Sequence, residues 1–268
     1  MHIASSLTKY TLARLRLAPL ILYEDDHYIV INKPPCVASL ADRTLSGPHI
    51  LQLAKDYYPQ AQVGHRLDKE TSGAMALAKH PAAYKALCKQ FETRQVTKVY
   101  HAVLEGNHRF HQQQVKAPIA ITPKHLAKID PRNGKQATTI FTTLQNFSGY
   151  TLVSCQPITG RMHQIRVHAT TLQAPIVGDT QYGGHLLYLS TLKQHYRLKR
   201  HAEEQPLLPR LALHAHYLEF ISLQGKKIAV QALYPKDFTT LVKQLTRYAH
   251  VTSPTAPPHI CSRTSKVG

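Results

Sequence analysis

Two β-branched runs, Thr138 to Phe147 and Tyr150 to Pro157, are separated only by Ser148-Gly149. A spacer of that length and type reverses an extended chain into a hairpin, so a pair of long neighbouring strands constrains everything else the chain can build. A second hairpin is expected near the start, where Leu20 to Tyr23 and Tyr28 to Asn32 flank the polar reversal Glu24 to His27. Strand character recurs in the small, apolar residues 74–78, in Val96 to Leu104, in Leu211 to Ser222 and in Lys227 to Leu233. Helical spacing is confined to shorter stretches. Ile50, Leu51, Leu53, Ala54 and Tyr57 share a period that Pro59 ends, and Ala83, Leu87, Cys88 and Phe91 line one face of a helix starting near Pro81. Phe238, Leu241, Val242 and Leu245 do the same after Pro235.

Residues 106–136 have no steady period and read as loops with short strands, while Lys193 to Pro209 reads as a solvated insertion or surface helix. Neither an internal repeat nor a linker divides the chain. One domain over residues 20–248 is expected, with a basic N-terminal arm (1–19) and a Ser-, Thr- and Pro-rich tail (249–268) too polar to order itself. An organelle-targeting reading of Leu7 to Leu20, with Lys9, Arg14 and Arg16, is the alternative to a lead-in arm.

With 33 Lys and Arg against 15 Asp and Glu, the net charge is +18. That excess is more than solubility needs and favours a polyanionic partner, with nucleic acid first because neutralising phosphates releases counterions. A membrane is the weaker alternative, since the chain has no long amphipathic basic helix and no apolar run of the ~20 residues a span requires. Four cysteines (Cys36, Cys88, Cys155 and Cys261) lie far apart and suit neither a disulfide framework nor a thiolate cage. A reducing cytoplasm is the simplest setting.

Chemistry concentrates in two segments. The first, Gly64-His65-Arg66-Leu67-Asp68-Lys69-Glu70-Thr71-Ser72-Gly73, sets a carboxylate between a guanidinium and two hydroxyls on a turn-forming stretch. The bland account has Asp68 accepting bonds from the Thr71 and Ser72 amides, as acidic residues do in tight turns. The second, Thr159 to Tyr182, is dense in hydrogen-bonding side chains. If Arg161 to Thr171 is helical, Gln164 and His168 share a face and Arg166 lies on another, free to enter a site, clamp a phosphate or form a surface ion pair.

The 18 histidines invite a metal, but no H-E-x-x-H occurs, and His214 and His216 share a strand face without an acid at ligand spacing. No metal site is expected; His65, His163 and His168 read as hydrogen-bonded structural or RNA-contacting groups. Walker-type, dinucleotide-binding and nucleophile-elbow patterns are missing too. What remains is a basic protein with an Asp-centred turn, arginines and Tyr100 on a strand, a set suited to chemistry on a nucleobase without a cofactor.

From about Leu20 to Tyr248 the chain resembles the RluA-type pseudouridine synthases. The resemblance is carried by His65-Arg66-Leu67-Asp68 with Thr71-Ser72-Gly73, by Lys98-Val99-Tyr100, and by Thr159-Gly160-Arg161 with His163-Gln164-Ile165-Arg166-Val167-His168. Pro175-Ile176-Val177-Gly178-Asp179, Tyr182-Gly183 and Leu211-Ala212-Leu213-His214-Ala215 follow in the same order. It implies an α+β fold, a mixed and mainly antiparallel sheet with flanking helices and a basic central cleft.

It also implies cofactor-free isomerisation of a flipped-out uridine in structured RNA, ribosomal or transfer, by a monomer. Asp68 matches the family's essential aspartate, Tyr100 packs on the target base, Arg166 pairs with Asp68, and Arg66 fills the vacated stack. His65, Arg161, His163 and Gln164 are the further RNA contacts expected. A carboxylate suffices because the reaction moves the ribose C1′ bond from N1 to C5 without net redox change. Whether it attacks the base, attacks the sugar carbon or takes a ribose proton stays open.

The chain departs from the family at Cys36, where glycine is usual, at Met162, in place of a small hydroxyl residue, and at Ala74, in place of a larger aliphatic. The stretch before the first hairpin is too short for the S4-like domain some relatives carry. The competing readings are a non-catalytic basic RNA-binding protein on the same fold and an Asp-dependent nucleotide hydrolase.

Overall fold

A computed structural model describes residues 15–41, 47–198 and 202–249. In chain order its elements are β1 (Ile21–Glu24), β2 (Tyr28–Lys33), α1 (Ile50–Tyr57), β3 (Gln62–Val63), β4 (Ser72–Ala78), α2 (Pro81–Glu92) and β5 (Thr97–Glu105). There follow β6 (Gln113–Lys116), β7 (Ile119–Ile121), β8 (Ala127–Ile129), β9 (Thr138–Phe147), β10 (Tyr150–Pro157) and α3 (Gln164–Thr171). The last are α4 (Leu189–Leu192), β11 (Leu213–Ile221), β12 (Lys227–Gln231) and α5 (Lys236–Tyr248). Most of the tail and arm lie outside the described residues.

One sheet runs β1-β2-β4-β11-β5-β10-β9-β6, with β12 on β11 and β3 on β4; β7 and β8 form a separate ribbon. Both expected hairpins form, Tyr150 pairing with Phe147 across the Gly149 turn and Glu24 with Ile29 across the acidic one. All strand pairs are antiparallel except β4 with β11, which touch only at His214 with Ser72 and Ala215 with Gly73. Beyond this joint the same edge of β11 passes to β12, from Tyr217 onward. β4, all seven residues buried, therefore meets the centre of the sheet end-on and delivers the preceding turn there.

Gly73 makes the joint possible. At φ +118° it is in a region that side chains rarely adopt, and a Cβ there would stand 2.1 Å from the Ala215 carbonyl oxygen.

The expected surface helix over Lys193 to Pro209 is absent among the described residues of that stretch, where α4 ends at Leu192 and irregular chain follows. The segment is not merely solvated either, because Leu208 is fully buried and Arg210 beyond it reaches into the core. Its polar composition concealed an apolar anchor, Leu208 in the core with Leu207 packed against it. No helix among the described residues is long and apolar enough to cross a membrane.

Behind the sheet lie His101, His214 and His216. His214 accepts from the Ser72 hydroxyl at Nδ1 (2.9 Å) and donates from Nε2 to the Ala232 carbonyl (3.1 Å), while the His101 and His216 rings stack at 3.9 Å. No metal-holding group of three or more His, Cys, Asp or Glu side chains occurs among the described residues.

Two predictions follow from this packing. Gly73→Ala should cost ~3 kcal/mol or more, since a β-carbon must displace backbone, and so lower Tm by roughly 10 °C in a thermal melt. Second, burial holds His214 down to about 4 and, on the cleft side, His65 down to about 3, from the ordinary 6.5. Between those values and 6.5 the unfolded chain binds protons that the folded chain refuses, so stability falls as pH drops through that window. From pH 7 to pH 5 each imidazole should remove ~2 kcal/mol, measured as a lower urea midpoint at the more acidic pH.

Candidate active site

The loop bearing Asp68 is pinned from several sides by groups that leave the carboxylate alone. The Ser39 hydroxyl donates to the Leu67 carbonyl (2.8 Å) and accepts from the Leu67 amide (3.1 Å). Lys33, wholly buried, donates its three ammonium protons to the carbonyls of Pro34 (3.0 Å), Val37 (2.8 Å) and Lys69 (3.1 Å). Burial pushes that ammonium down to about 7. Arg210, paired with Asp237, donates to the Glu70 carbonyl (3.0 Å). Cys36, beside Val37 in the loop after β2 that Lys33 also holds, is at φ +64°. A left-handed turn is thus kept with a side chain that does not favour it.

The turn closes through the Thr71 amide donating to the Asp68 main-chain carbonyl (3.1 Å). Among the described residues no backbone amide reaches the Asp68 carboxylate, so the bland account of Asp68 as a turn cap does not describe it. The carboxylate is about one-third exposed, and two cationic or potentially cationic groups face its Oδ2: Arg166 Nη1 at 3.6 Å and His163 Nε2 at 3.8 Å.

Arg166 is buried, which rules out the surface ion pair, and its first partner is Asp179. Nε and Nη2 donate to the two Asp179 oxygens at 2.6 Å each, and Nη2 also to Gln181 Oε1 at 2.8 Å. Its guanidinium carbon lies 4.7 Å from the centre of the Tyr182 ring. The expected pairing with Asp68 is present but is the longer of the two. All residues from Gln164 to Ala169 are buried, so α3 has no polar face for Arg166 to occupy.

Around Asp68 opens a cleft of about 1130 Å³ lined by His65, Arg66, Tyr100, Arg161, His163, Gln164 and Arg166 together with Lys98, Phe91 and Met162. The catalytic and RNA-contacting residues that the resemblance implies all border it, but their situations differ. Arg66 is exposed and has no side-chain partner among the described residues. Tyr100 is half-buried, and burial first, then the Asp68 charge, pushes its phenol well above the ordinary value. The phenol therefore keeps its proton beside Asp68.

Arg161 Nε donates to the Gln136 carbonyl (3.2 Å). His65 Nε2 accepts from the Ala76 amide (3.0 Å) and its ring stacks on Phe91 at 4.4 Å. Gln164, expected as an RNA contact, is instead buried, with its amide engaged by the Thr159 hydroxyl, the Arg161 amide, the Thr138 carbonyl and Thr139. It braces the turn that precedes α3. His163 faces Asp68 rather than solvent. His168 is structural, between Thr139 Oγ1 and the Ala117 carbonyl.

Sequence reasoning did not give site roles to Asp179, Tyr182, Lys33 or Lys98. Three of these carried a signal as members of matched motifs, and Lys33 stood beside Pro34-Pro35. Lys98, held down to about 8 by burial, makes a long bond to the Thr159 carbonyl (3.4 Å) and lies 6.0 Å from the Phe91 ring centre.

The RNA pseudouridylate synthase family profile matches residues 27–171, which include Asp68, Tyr100 and Arg166. The chain belongs to this family. It is 35% identical over 232 residues to an uncharacterized RNA pseudouridine synthase of Zymomonas mobilis, covering 84% of this chain and 98% of that one. It is 36% identical over 240 residues to the ribosomal large subunit pseudouridine synthase D of Xanthomonas campestris, covering 84% of this chain and 69% of that protein. Among solved structures, human RNA pseudouridylate synthase domain containing 4 superposes with a TM-score of 0.66 at 27% identity, covering 86% of this chain and 94% of the other. The RluA-type resemblance and the α+β fold are thereby established, and the chain is an isomerase.

Asp179→Asn should strip the buried Arg166 of its bidentate counter-ion, leaving only the longer approach to Asp68, and cost ~3–5 kcal/mol. The check is a denaturant titration in which the midpoint falls while the slope is unchanged.

Proposed function

We propose that this protein converts specific uridines of large-subunit ribosomal RNA to pseudouridine, with Asp68 as the essential carboxylate. The observation that carries the reading is a partly exposed aspartate at the cleft floor, free of backbone amides, with one oxygen turned to Arg166 and His163. Its matching position in the family motif supports the same assignment, and the ribosomal targets in the relatives' names support the choice of RNA.

In this reading the uridine leaves its stack and enters the cleft, at a cost of a few kcal/mol for unstacking. Tyr100 receives the uracil on its ring, worth ~1–3 kcal/mol per stacked base. Arg66, exposed and uncommitted, occupies the gap left in the RNA. Arg166 orients the carboxylate while Asp179 holds Arg166. Arg161 and the edge of His65 border the entering strand. Breaking the C1′–N1 bond and forming C1′–C5 requires a base or nucleophile and the net transfer of one proton from C5 to N1, with no electron acceptor, so the reading calls for one chain, an RNA and no added cofactor. The cytoplasm, where ribosomal RNA is at hand, is the corresponding location.

Purified protein should form pseudouridine in ribosomal RNA from cells lacking the gene. Asp68→Asn should abolish product, by at least ~10³-fold, while RNA affinity changes less than ~3-fold. Product formation by Asp68→Asn at the wild-type rate would overturn the assignment. RNA binding without any product from the wild type would favour the plain RNA-binding alternative.

A further inference from the structure

His163 is the residue whose geometry that reading leaves unexplained. It precedes α3 at φ +52°, in the left-handed region, and as the helix N-cap its side chain makes no capping hydrogen bond. A non-glycine residue held there is strained, and such strain persists only where surrounding contacts over-determine it. The contacts here are Tyr182 on one side and Asp68 on the other.

The hydrogen-bond directions can be worked out from the backbone inward. The Ala127 amide on β8 can only donate, and it donates to Tyr182 Oη at 2.9 Å. His163 Nδ1 lies 2.8 Å from the same oxygen. Among the described residues Tyr182 Oη has no other partner, so its own proton has one acceptor, Nδ1 of His163. A neutral imidazole whose Nδ1 accepts must carry its hydrogen on Nε2. Burial favours the neutral ring. Asp68 and Asp179 pull the other way, and Arg166 sides with burial. Nε2 faces Asp68 Oδ2 at 3.8 Å, and Arg166 Nη1 faces the same oxygen at 3.6 Å. Both groups thus make their closest approach to the same oxygen, Oδ2, and neither Asp68 oxygen accepts a hydrogen bond among the described residues.

We propose that His163 is a positioning residue: locked by Tyr182 as the Nε2–H tautomer, it holds Asp68 Oδ2 together with Arg166, so that Oδ1 is the oxygen presented to the uridine. The proposal rests on the function given above. Both gaps exceed a hydrogen bond, and on this proposal they shorten when substrate fills the cleft. The far end of the relay is main chain on the β7–β8 ribbon, so the tautomer is set by the fold and not by solvent.

The test has a spectroscopic arm and a kinetic arm. In protein labelled with ¹⁵N-histidine, the His163 resonances, assigned by their loss in His163→Gln, should show a protonated Nε2 and an unprotonated Nδ1, and Tyr182→Phe should mix the tautomers. In single-turnover assays His163→Ala should slow pseudouridine formation roughly 10- to 100-fold with RNA affinity changed less than ~3-fold. His163→Gln, whose amide nitrogen donates from nearly the same place, should recover most of that rate. An Nδ1–H tautomer in the wild type, a wild-type rate in His163→Ala, a loss confined to RNA affinity, or no recovery by glutamine would each overturn the proposal. If the wild type forms no pseudouridine, the proposed function fails on its own, and the tautomer, read without turnover, still decides whether His163 is locked.

Discussion

Arg166 lies between two carboxylates, and the site depends on how unequally it serves them. A guanidinium buried without a counter-ion would be prohibitively costly, whereas a bidentate pair recovers much of the desolvation penalty. Asp179 supplies that pair at 2.6 Å and leaves Nη1 turned to Asp68 at 3.6 Å. The closer carboxylate is nearly inaccessible and the farther one is about one-third exposed. The first fixes the cation and the second is left able to react. Exchanging these distances would give a better-satisfied ion pair and a worse site.

The same division of labour governs the loop that holds Asp68. Lys33, Ser39 and Arg210 all bond to main-chain atoms of Leu67, Lys69 and Glu70, flanking Asp68 without touching its side chain. The short parallel joint of β4 with β11 then fixes the end of the loop, with Gly73 against Ala215. Local backbone restraint from both sides lets a single side chain keep its orientation while making few contacts of its own.

Local features of this arrangement were legible in the sequence and long-range ones were not. Hairpins and helices follow from neighbours a few residues apart, so β9–β10, β1–β2, α1, α2 and α5 are found where period and punctuation place them. Asp68, Tyr100 and Arg166 were identifiable because several motifs match a family in register, and the cleft brings them together. Helical spacing separated Arg166 from Gln164 and His168, but it could not show that α3 buries six consecutive residues. Asp179 escaped notice because its bond to Arg166 spans a loop and carries no helical or strand spacing. Lys33 closes an apolar strand, where a lysine ordinarily reads as reaching for solvent; three carbonyls brought close by the fold provide its alternative.

Charge adds a last constraint on how RNA meets the cleft. The protein carries +18 overall, and Arg66, Arg94, Lys98 and Arg161 line the opening, so phosphates are drawn to the cleft. Beside Asp68 the nearest cation, Arg166, is already held by the bidentate pair with Asp179. A phosphate reaching that point would meet a committed guanidinium and a carboxylate, whereas uracil is neutral and can lie against Tyr100. The arrangement therefore favours a bound strand whose backbone stays among the basic groups lining the cleft while one base turns inward. On the proposed function, that is the pose the chemistry at C1′ requires.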